Sequence, residues 1–261
     1  MKVAAFDSGI GGLTALAPLL KNYSGLDVTY LGDLANLPYG TKSPERIQQL
    51  VKANIEWLLE KDKFEVLILA CNTASAYALE LSKALCKKKG VHCEGVIGPG
   101  CRLAAKNQHK RIIILATAAT VSSQAYERGL HNESFQGEII QIACPLFVPL
   151  VEEAFTSGAA VEEIIQHYLE PTLQNGDTVI LGCTHYPLLL KSFQKLYPSV
   201  NWIDAGAALK EENLVQNATG KSKLKLLFTD KIINNNKIEF FLNSLELEHT
   251  ANTIHSINPI L

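Results

Sequence analysis

Two cysteines, Cys71 and Cys183, each end a short aliphatic run and are followed by amide or hydroxyl side chains. The segments are VLILACNTA at 66–74 and TVILGCTHY at 178–186. A thiol just before a helix lies near free backbone N–H groups and the positive end of the helix dipole, so we expect the pKa of each cysteine to be lowered. A thiolate and a thiol on opposite faces of one carbon can remove a proton on one side and deliver one on the other. That chemistry is racemisation.

Removal of a proton next to a carboxylate is difficult, so both thiols would need well-placed partners. Asp7 follows the first aliphatic run, and His185 comes two residues after Cys183. We expect Asp7 to assist Cys71 and His185 to assist Cys183. Hydroxyl and N–H groups at helix N-termini would bind the carboxylate oxygens of an amino acid. The residues in such positions are Ser8, Asn72, Thr73, Thr117 and Thr184.

Short aliphatic runs alternate with amphipathic stretches of helix length along most of the chain. This alternation predicts parallel sheets with crossover helices. The predicted strands are KVAAFD, DVTYLGD, EVLILAC, RIIILAT, EIIQIA, TVILGC, NWIDAG and a weaker KLLFTD. In open sheets of this kind the ligand crevice lies outside the carboxyl ends of the strands, where both cysteine segments fall.

The two halves of the chain have matching spacings. Asp7 lies 64 residues before the first cysteine, and Thr117 lies 66 residues before the second. A duplicated unit explains this match. We therefore predict an α/β fold of two pseudo-symmetric, doubly wound parallel-sheet domains that face each other across a central cleft. The predicted limits are 1–94 with 206–261 for the first domain and 95–205 for the second.

Composition and charge favour a globular protein with a small-molecule partner. The chain has 261 residues, of which 47% are hydrophobic, and its formal net charge of -2 offers no basic field for nucleic acid or an anionic membrane. The first residues run directly into a strand, which leaves no room for a signal peptide, and no apolar run approaches bilayer length. We expect a cytoplasmic protein with six reduced cysteines, and we leave a homodimer open.

Less specific interpretations exist for each of these features. A single cysteine after a strand is more often a small buried hydrophobe than a catalyst, and only the matched pair favours catalysis. The glycine cluster at 9–12 opens a helix as a nucleotide loop would. Thr14 breaks the G-x-G-x-x-G pattern, so a tight turn with close backbone approach is favoured. His185 could be structural, and Asp7 could cap a helix.

Five segments together resemble the glutamate racemases of the aspartate/glutamate racemase superfamily. The resemblance runs from the start of the chain to about residue 206. Two positions depart from the family pattern, namely Ala116 in place of glycine and Ala205 in place of serine. The segments are FDSGIGGLTAL at 6–16, LPYGTKS at 37–43, ILACNTASA at 68–76, LFVPLVEE at 146–153 and ILGCTHYPLL at 180–189.

The resemblance implies racemisation of glutamate by two bases, Cys71 and Cys183, without pyridoxal phosphate, another cofactor or a metal. It also implies that Asp7, Glu152 and His185 support the proton transfers. D-glutamate would supply peptidoglycan synthesis. The implied substrate-binding residues are Asp7, Ser8, Tyr39, Gly40, Asn72, Thr73, Thr117, Thr184 and His185.

Two alternatives stay open at this point. A racemase of the same superfamily could act on aspartate or another acid. A binding protein could also have kept the cleft and lost turnover, although the presence of both cysteines argues against this.

Overall fold

The computed structural model describes residues 1–106, 110–230 and 235–261. Within these ranges the strands pair in parallel and form two sheets, with the strand orders β10-β9-β2-β1-β3-β4 and β6-β5-β7-β8. The prediction of two doubly wound parallel-sheet units is confirmed. The strands are β1 Lys2–Asp7, β2 Asp27–Gly32, β3 Val66–Leu69, β4 His92–Gly95, β5 Arg111–Ala116, β6 Glu138–Ala143, β7 Thr178–Gly182, β8 Asn201–Asp204, β9 Lys223–Phe228 and β10 Ala251–Ser256.

Helices connect the strands, as parallel pairing requires. No helix in the described ranges is long and apolar enough to cross a membrane. The α-helices are α1 Leu13–Asn22, α2 Pro44–Lys61, α3 Asn72–Lys87, α4 Ile97–Ala105, α5 Ala118–Ser122, α6 Ala125–Asn132, α7 Phe147–Glu152, α8 Ala159–Leu169, α9 Leu190–Leu196 and α10 Asn235–Ser244. Short 3₁₀ helices span Leu34–Asn36, Tyr39–Thr41, Tyr186–Leu189 and Ala207–Glu211.

The two sheets share one winding pattern. The order β2-β1-β3-β4 in the larger sheet has the same sequence of crossovers as β6-β5-β7-β8 in the smaller one. Cys71 follows β3 and Cys183 follows β7, so the two cysteines occupy equivalent positions. The domain limits at 94–95 and 205–206 stay a prediction.

The C-terminal part of the chain extends the larger sheet. β9 pairs with β2, and β10 pairs with β9 at the edge of the sheet. The sequence patterns did not predict β10 or β4. Both strands are short of aliphatic residues because they lie at the two edges of the larger sheet, where a strand is covered less completely.

A continuous apolar core joins the two sheets. One buried cluster contains Leu16 of α1 and Ile68 of β3 together with Leu115 of β5 and Leu181 of β7. β3 and β7 are buried over their whole lengths, as expected of parallel strands covered on both faces. Shared burial of this kind holds the carboxyl ends of the two sheets toward each other.

Phe147 at the start of α7 supports the segment after Cys183. Its buried ring lies edge-on to Tyr168 and Tyr186, each at a centroid distance of 5.2 Å. Removal of the ring would leave a cavity between these side chains. We therefore expect Phe147→Ala to lower the free energy of unfolding by about 3–5 kcal/mol in chemical denaturation. Phe155→Ala is the control, since Phe155 is 59% exposed, and should change it by less than about 0.5 kcal/mol. Equal effects of the two substitutions would contradict this account of the core.

Candidate active site

The carboxyl ends of the central strands meet at a narrow cavity of about 30 Å³, which we call the cleft. Such a volume holds about one water molecule, so the cleft is closed and an amino acid needs it to open. Of the predicted site residues, all except Asp7 and Glu152 line it. Leu37, Pro38 and Val148 complete its wall and were not predicted. The predicted residues in the wall are Ser8, Tyr39, Gly40, Cys71, Asn72, Thr73, Thr117, Cys183, Thr184 and His185.

Cys71 caps the N-terminus of α3. The N–H of Ala74 donates to its sulfur at 3.4 Å, and its thiol donates to the Ser8 hydroxyl at 3.5 Å. Burial, together with the Asp7 carboxyl, nevertheless raises the pKa of Cys71 to about 12. The expected lowering of this pKa is therefore wrong, because loss of hydration outweighs the N–H contacts of the helix end. Cys71 is a neutral thiol in the closed cleft.

Cys183 has different surroundings. A 3₁₀ helix rather than an α-helix follows it, and its sulfur lies 4.0 Å from Nδ1 of His185. Nε2 of His185 lies 2.6 Å from Oε1 of Glu152, and Nζ of Lys237 donates to Oε2 of the same carboxylate at 2.8 Å. These four side chains, Cys183, His185, Glu152 and Lys237, form a continuous chain that we call the charge chain. All six cysteines are free thiols.

His185 and Glu152 form a buried ion pair. Burial opposes the charge on both side chains, but the interactions within the charge chain outweigh it. The Cys183 sulfur and the Glu152 carboxylate raise the pKa of His185 to about 10. The imidazole and Lys237 lower the pKa of Glu152 to about 2. At neutral pH an imidazolium therefore faces Cys183.

Asp7 lies beneath the cleft and connects the two halves of the molecule. Its Oδ1 accepts the N–H of Gly9 at 2.7 Å, and its Oδ2 accepts the hydroxyl of Thr184 at 3.4 Å. Burial raises its pKa, which the nearby His185 opposes. The N–H of Gly12 also acts on this carboxyl, whereas the influence of Asp7 on Cys71 is electrostatic.

The glycine cluster at 9–12 packs closely against other loops, in agreement with the predicted tight turn with close backbone approach. A Cβ on Gly11 would lie 2.6 Å from both the His185 ring and Oγ1 of Thr184. The loop after β1 can therefore approach the loop after β7 only because this position has no side chain.

Two further contacts join the halves across the cleft. Thr73 and Thr117 share a hydrogen bond at 3.0 Å, and Thr120 completes a triangle of hydroxyls with both. Gly40 packs on Thr117, since a Cβ there would lie 2.7 Å from Cβ of Thr117. The hydroxyl of Tyr39 donates instead to Asp33 at 2.6 Å, so this side chain anchors its own loop.

Several contributors to the site were not predicted. Tyr126 donates its hydroxyl to Oδ1 of Asn72 at 2.6 Å, which leaves the Nδ2 group of that amide for other partners. Lys237 and Thr120 were also missed. No sequence pattern identified Tyr126, because its partner lies 54 residues away along the chain.

Comparison with known proteins gives consistent matches. Residues 15–212 match the Asp/Glu/Hydantoin racemase family. A glutamate racemase of Aquifex aeolicus is 42% identical over 234 residues, which are 88% of this chain and 89% of that protein. The crystal structure of glutamate racemase from Campylobacter jejuni aligns with a TM-score of 0.84 at 32% identity, covering 95% of this chain and 99% of that one.

A second solved structure carries a ligand. It is the glutamate racemase of Francisella tularensis in complex with D-glutamate, with a TM-score of 0.82, 31% identity, and coverage of 98% and 97%. The fold, the paired cysteine segments and these matches define an amino-acid racemase, an isomerase. The chain belongs to the Asp/Glu/hydantoin racemase family. Its resemblance to glutamate racemases, predicted from five segments, is confirmed.

The ion pair predicts a pH window of stability. The lowered pKa of Glu152 stabilises the fold above about pH 4.5, an effect that is lost as the pH falls toward about 2. The raised pKa of His185 stabilises it below about pH 6.5, an effect that is lost as the pH rises toward about 10. We expect Glu152→Gln to lower the free energy of unfolding by about 3 kcal/mol between about pH 4.5 and about pH 6.5, where both effects are complete. The loss should be smaller outside that range, as measured by denaturation at each pH.

Glu162→Gln is the control, because Glu162 pairs with Lys195 at the surface. It should change the free energy of unfolding little at any pH. A cost of Glu152→Gln that does not vary with pH would contradict the ion pair.

Proposed function

We propose that this protein is a cofactor-independent glutamate racemase that interconverts L- and D-glutamate. The observation that carries the proposal is the presence of Cys71 and Cys183 at equivalent strand ends on one cavity. Two groups that exchange protons with opposite faces of Cα can racemise an amino acid without a cofactor. The substrate itself is supported by the glutamate racemases that this chain matches.

The reaction needs one thiolate and one thiol. The thiolate sulfur takes the proton from Cα and becomes a thiol, and the electron pair of the C–H bond passes into the substrate carboxylate. The opposite thiol then gives its proton to the other face of Cα and becomes a thiolate. Each turnover therefore exchanges the protonation states of Cys71 and Cys183, and the reverse direction uses the same groups.

The buried surroundings set the cost of the thiolate. In the closed cleft Cys71 faces burial and the Asp7 carboxyl, both of which disfavour its charge. The ammonium group of a bound amino acid brings a positive charge into the cleft and offsets this cost. At Cys183 the positive charge is supplied by the imidazolium of His185, whose Nδ1 lies 4.0 Å from the sulfur.

Hydroxyl, amide and N–H groups around the cleft are suited to bind the two carboxylates of glutamate. Thr73 and Thr117 supply hydroxyls where the halves meet, and the Nδ2 group of Asn72 is available because Tyr126 holds its other amide atom. Ser8 and Thr184 also line the cleft. We assign glutamate binding to these residues together with Asp7, Tyr39, Gly40 and His185.

The cellular role follows from the product. D-glutamate would enter peptidoglycan synthesis and so contribute to cell-wall formation and cell shape, and the enzyme would act in the cytoplasm. Assembly as a homodimer stays an open prediction.

The test is loss of optical rotation from pure L-glutamate without any added cofactor. We expect Cys71→Ser and Cys183→Ser each to lower kcat/KM by at least about 100-fold, because each removes one acid/base group. Cys86→Ser is the matched control, since this buried cysteine lies at the far end of α3, roughly 20 Å from the cap. Full activity in both cleft variants would refute the mechanism.

Aspartate and simple binding are the competing outcomes. A pocket that hydrogen-bonds a side-chain carboxylate at one position should discriminate against the shorter acid. Turnover of aspartate at a rate equal to that of glutamate would contradict the assignment. Binding of glutamate with no turnover of either acid would identify a binding protein instead.

A further inference from the structure

Helix α10 supplies one side chain of the charge chain and packs a second against it, and both lie outside residues 15–212, which match the family model. Lys237 and Phe241 are separated by four residues and therefore share one face of the helix. The ring of Phe241 lies edge-on to the imidazole of His185, with centroids 5.8 Å apart. Nζ of Lys237 contacts Oε2 of Glu152. The family match ends at residue 212, so neither residue belongs to it.

Lys237 donates a hydrogen bond to the second oxygen of the Glu152 carboxylate, which has little access to water. The side chain of Glu152 is 11% exposed, and its first oxygen is taken by His185. Without a donor on the second oxygen, a mostly buried charge would lose a charged hydrogen bond. The carboxylate would then be free to rotate away from His185. The side chain of Lys237 is 27% exposed, so it can keep its own charge at low cost.

We propose that Lys237 is a positioning residue for proton transfer at Cys183, because it fixes Glu152 in the orientation that holds His185 against the sulfur. This role rests on the proposed glutamate racemase function. Lys237 acts through two other side chains and does not line the cleft. Its loss should therefore lower the rate of the chemical step and leave substrate binding nearly unchanged.

A different role for the same charge makes a distinguishable prediction. Lys237 also lines a neighbouring, mainly apolar cavity of about 380 Å³, which shares Gly40, Thr117 and Val148 with the cleft. A lysine that attracts a dicarboxylate through this cavity would act on KM, and added salt would weaken its effect. A lysine that positions Glu152 acts on kcat, and salt has little influence on a partly buried pair.

The experiment compares Lys237→Met and Lys237→Gln with Lys237→Arg and a control. Lys195→Met is the control because it removes another lysine–glutamate pair, with Glu162 at 2.6 Å, from the surface. We expect both neutral variants to lose about tenfold in kcat, which corresponds to one charged hydrogen bond, while KM stays within about twofold. Lys237→Arg should recover most of kcat, and Lys195→Met should match the unmodified enzyme.

Both directions should be measured. The enantiomers have equal free energy in water, so kcat/KM must fall equally for L- and D-glutamate. Agreement of the two values checks the kinetics. A loss confined to KM and relieved by salt, or a full kcat in both neutral variants, would overturn the proposal.

A readout without turnover keeps this proposal separate from the proposed function. In enzyme with ¹⁵N-labelled histidine, the Nε2–H proton of His185 should exchange slowly with solvent, and His185→Asn assigns its signal. We expect exchange to become at least about tenfold faster in Lys237→Met, because a freed Glu152 accepts this proton less steadily. Lys195→Met should leave the exchange unchanged. Unchanged exchange in Lys237→Met would refute positioning even if the protein does not racemise glutamate.

Discussion

The ion pair between His185 and Glu152, 2.6 Å apart and largely shielded from water, is the interaction on which the site depends. An isolated charge at such a position would be too costly, so each partner requires the other. The pair also fixes the geometry around it, because Glu152 ends α7 and His185 follows β7 in the loop that carries Cys183. Neighbouring elements must therefore pack closely enough to exclude water from both.

The close packing explains the placement of small residues. Gly11 lets the loop after β1 touch the His185 ring, and Gly40 lets its own loop touch Thr117. These contacts leave a cleft of about 30 Å³, which is too small for an amino acid unless it widens. The same closure raises the pKa of Cys71. In the proposed mechanism the charge of a bound substrate offsets this effect. Burial thus serves both to exclude water and to hold the thiol neutral until it is needed.

Much of the fold and of the site could be predicted from the sequence, because the patterns that define them are local. Aliphatic runs ending at Cys71 and Cys183 defined β3, β7 and the crevice, since parallel strands place their carboxyl ends together. The polar edge strand β10 and the pairing of Tyr126 with Asn72 left no local pattern, because contacts between distant segments create them. The expected lowering of the pKa of Cys71 was wrong for a related reason. Helix position is visible in a sequence, whereas the extent of burial is set by the whole fold.

The two-base mechanism can be tested most directly by following hydrogen at Cα during the first turnovers of L-glutamate in deuterium oxide. A thiolate that takes the proton from one face and a thiol that delivers a different proton to the other predict that the D-glutamate formed carries deuterium at Cα, while the unreacted L-glutamate keeps its original hydrogen. The same pattern should appear from D-glutamate. If the newly formed enantiomer instead retains the hydrogen of the substrate, one group carries the proton between the two faces. Cys71 and Cys183 would then not act as opposed bases.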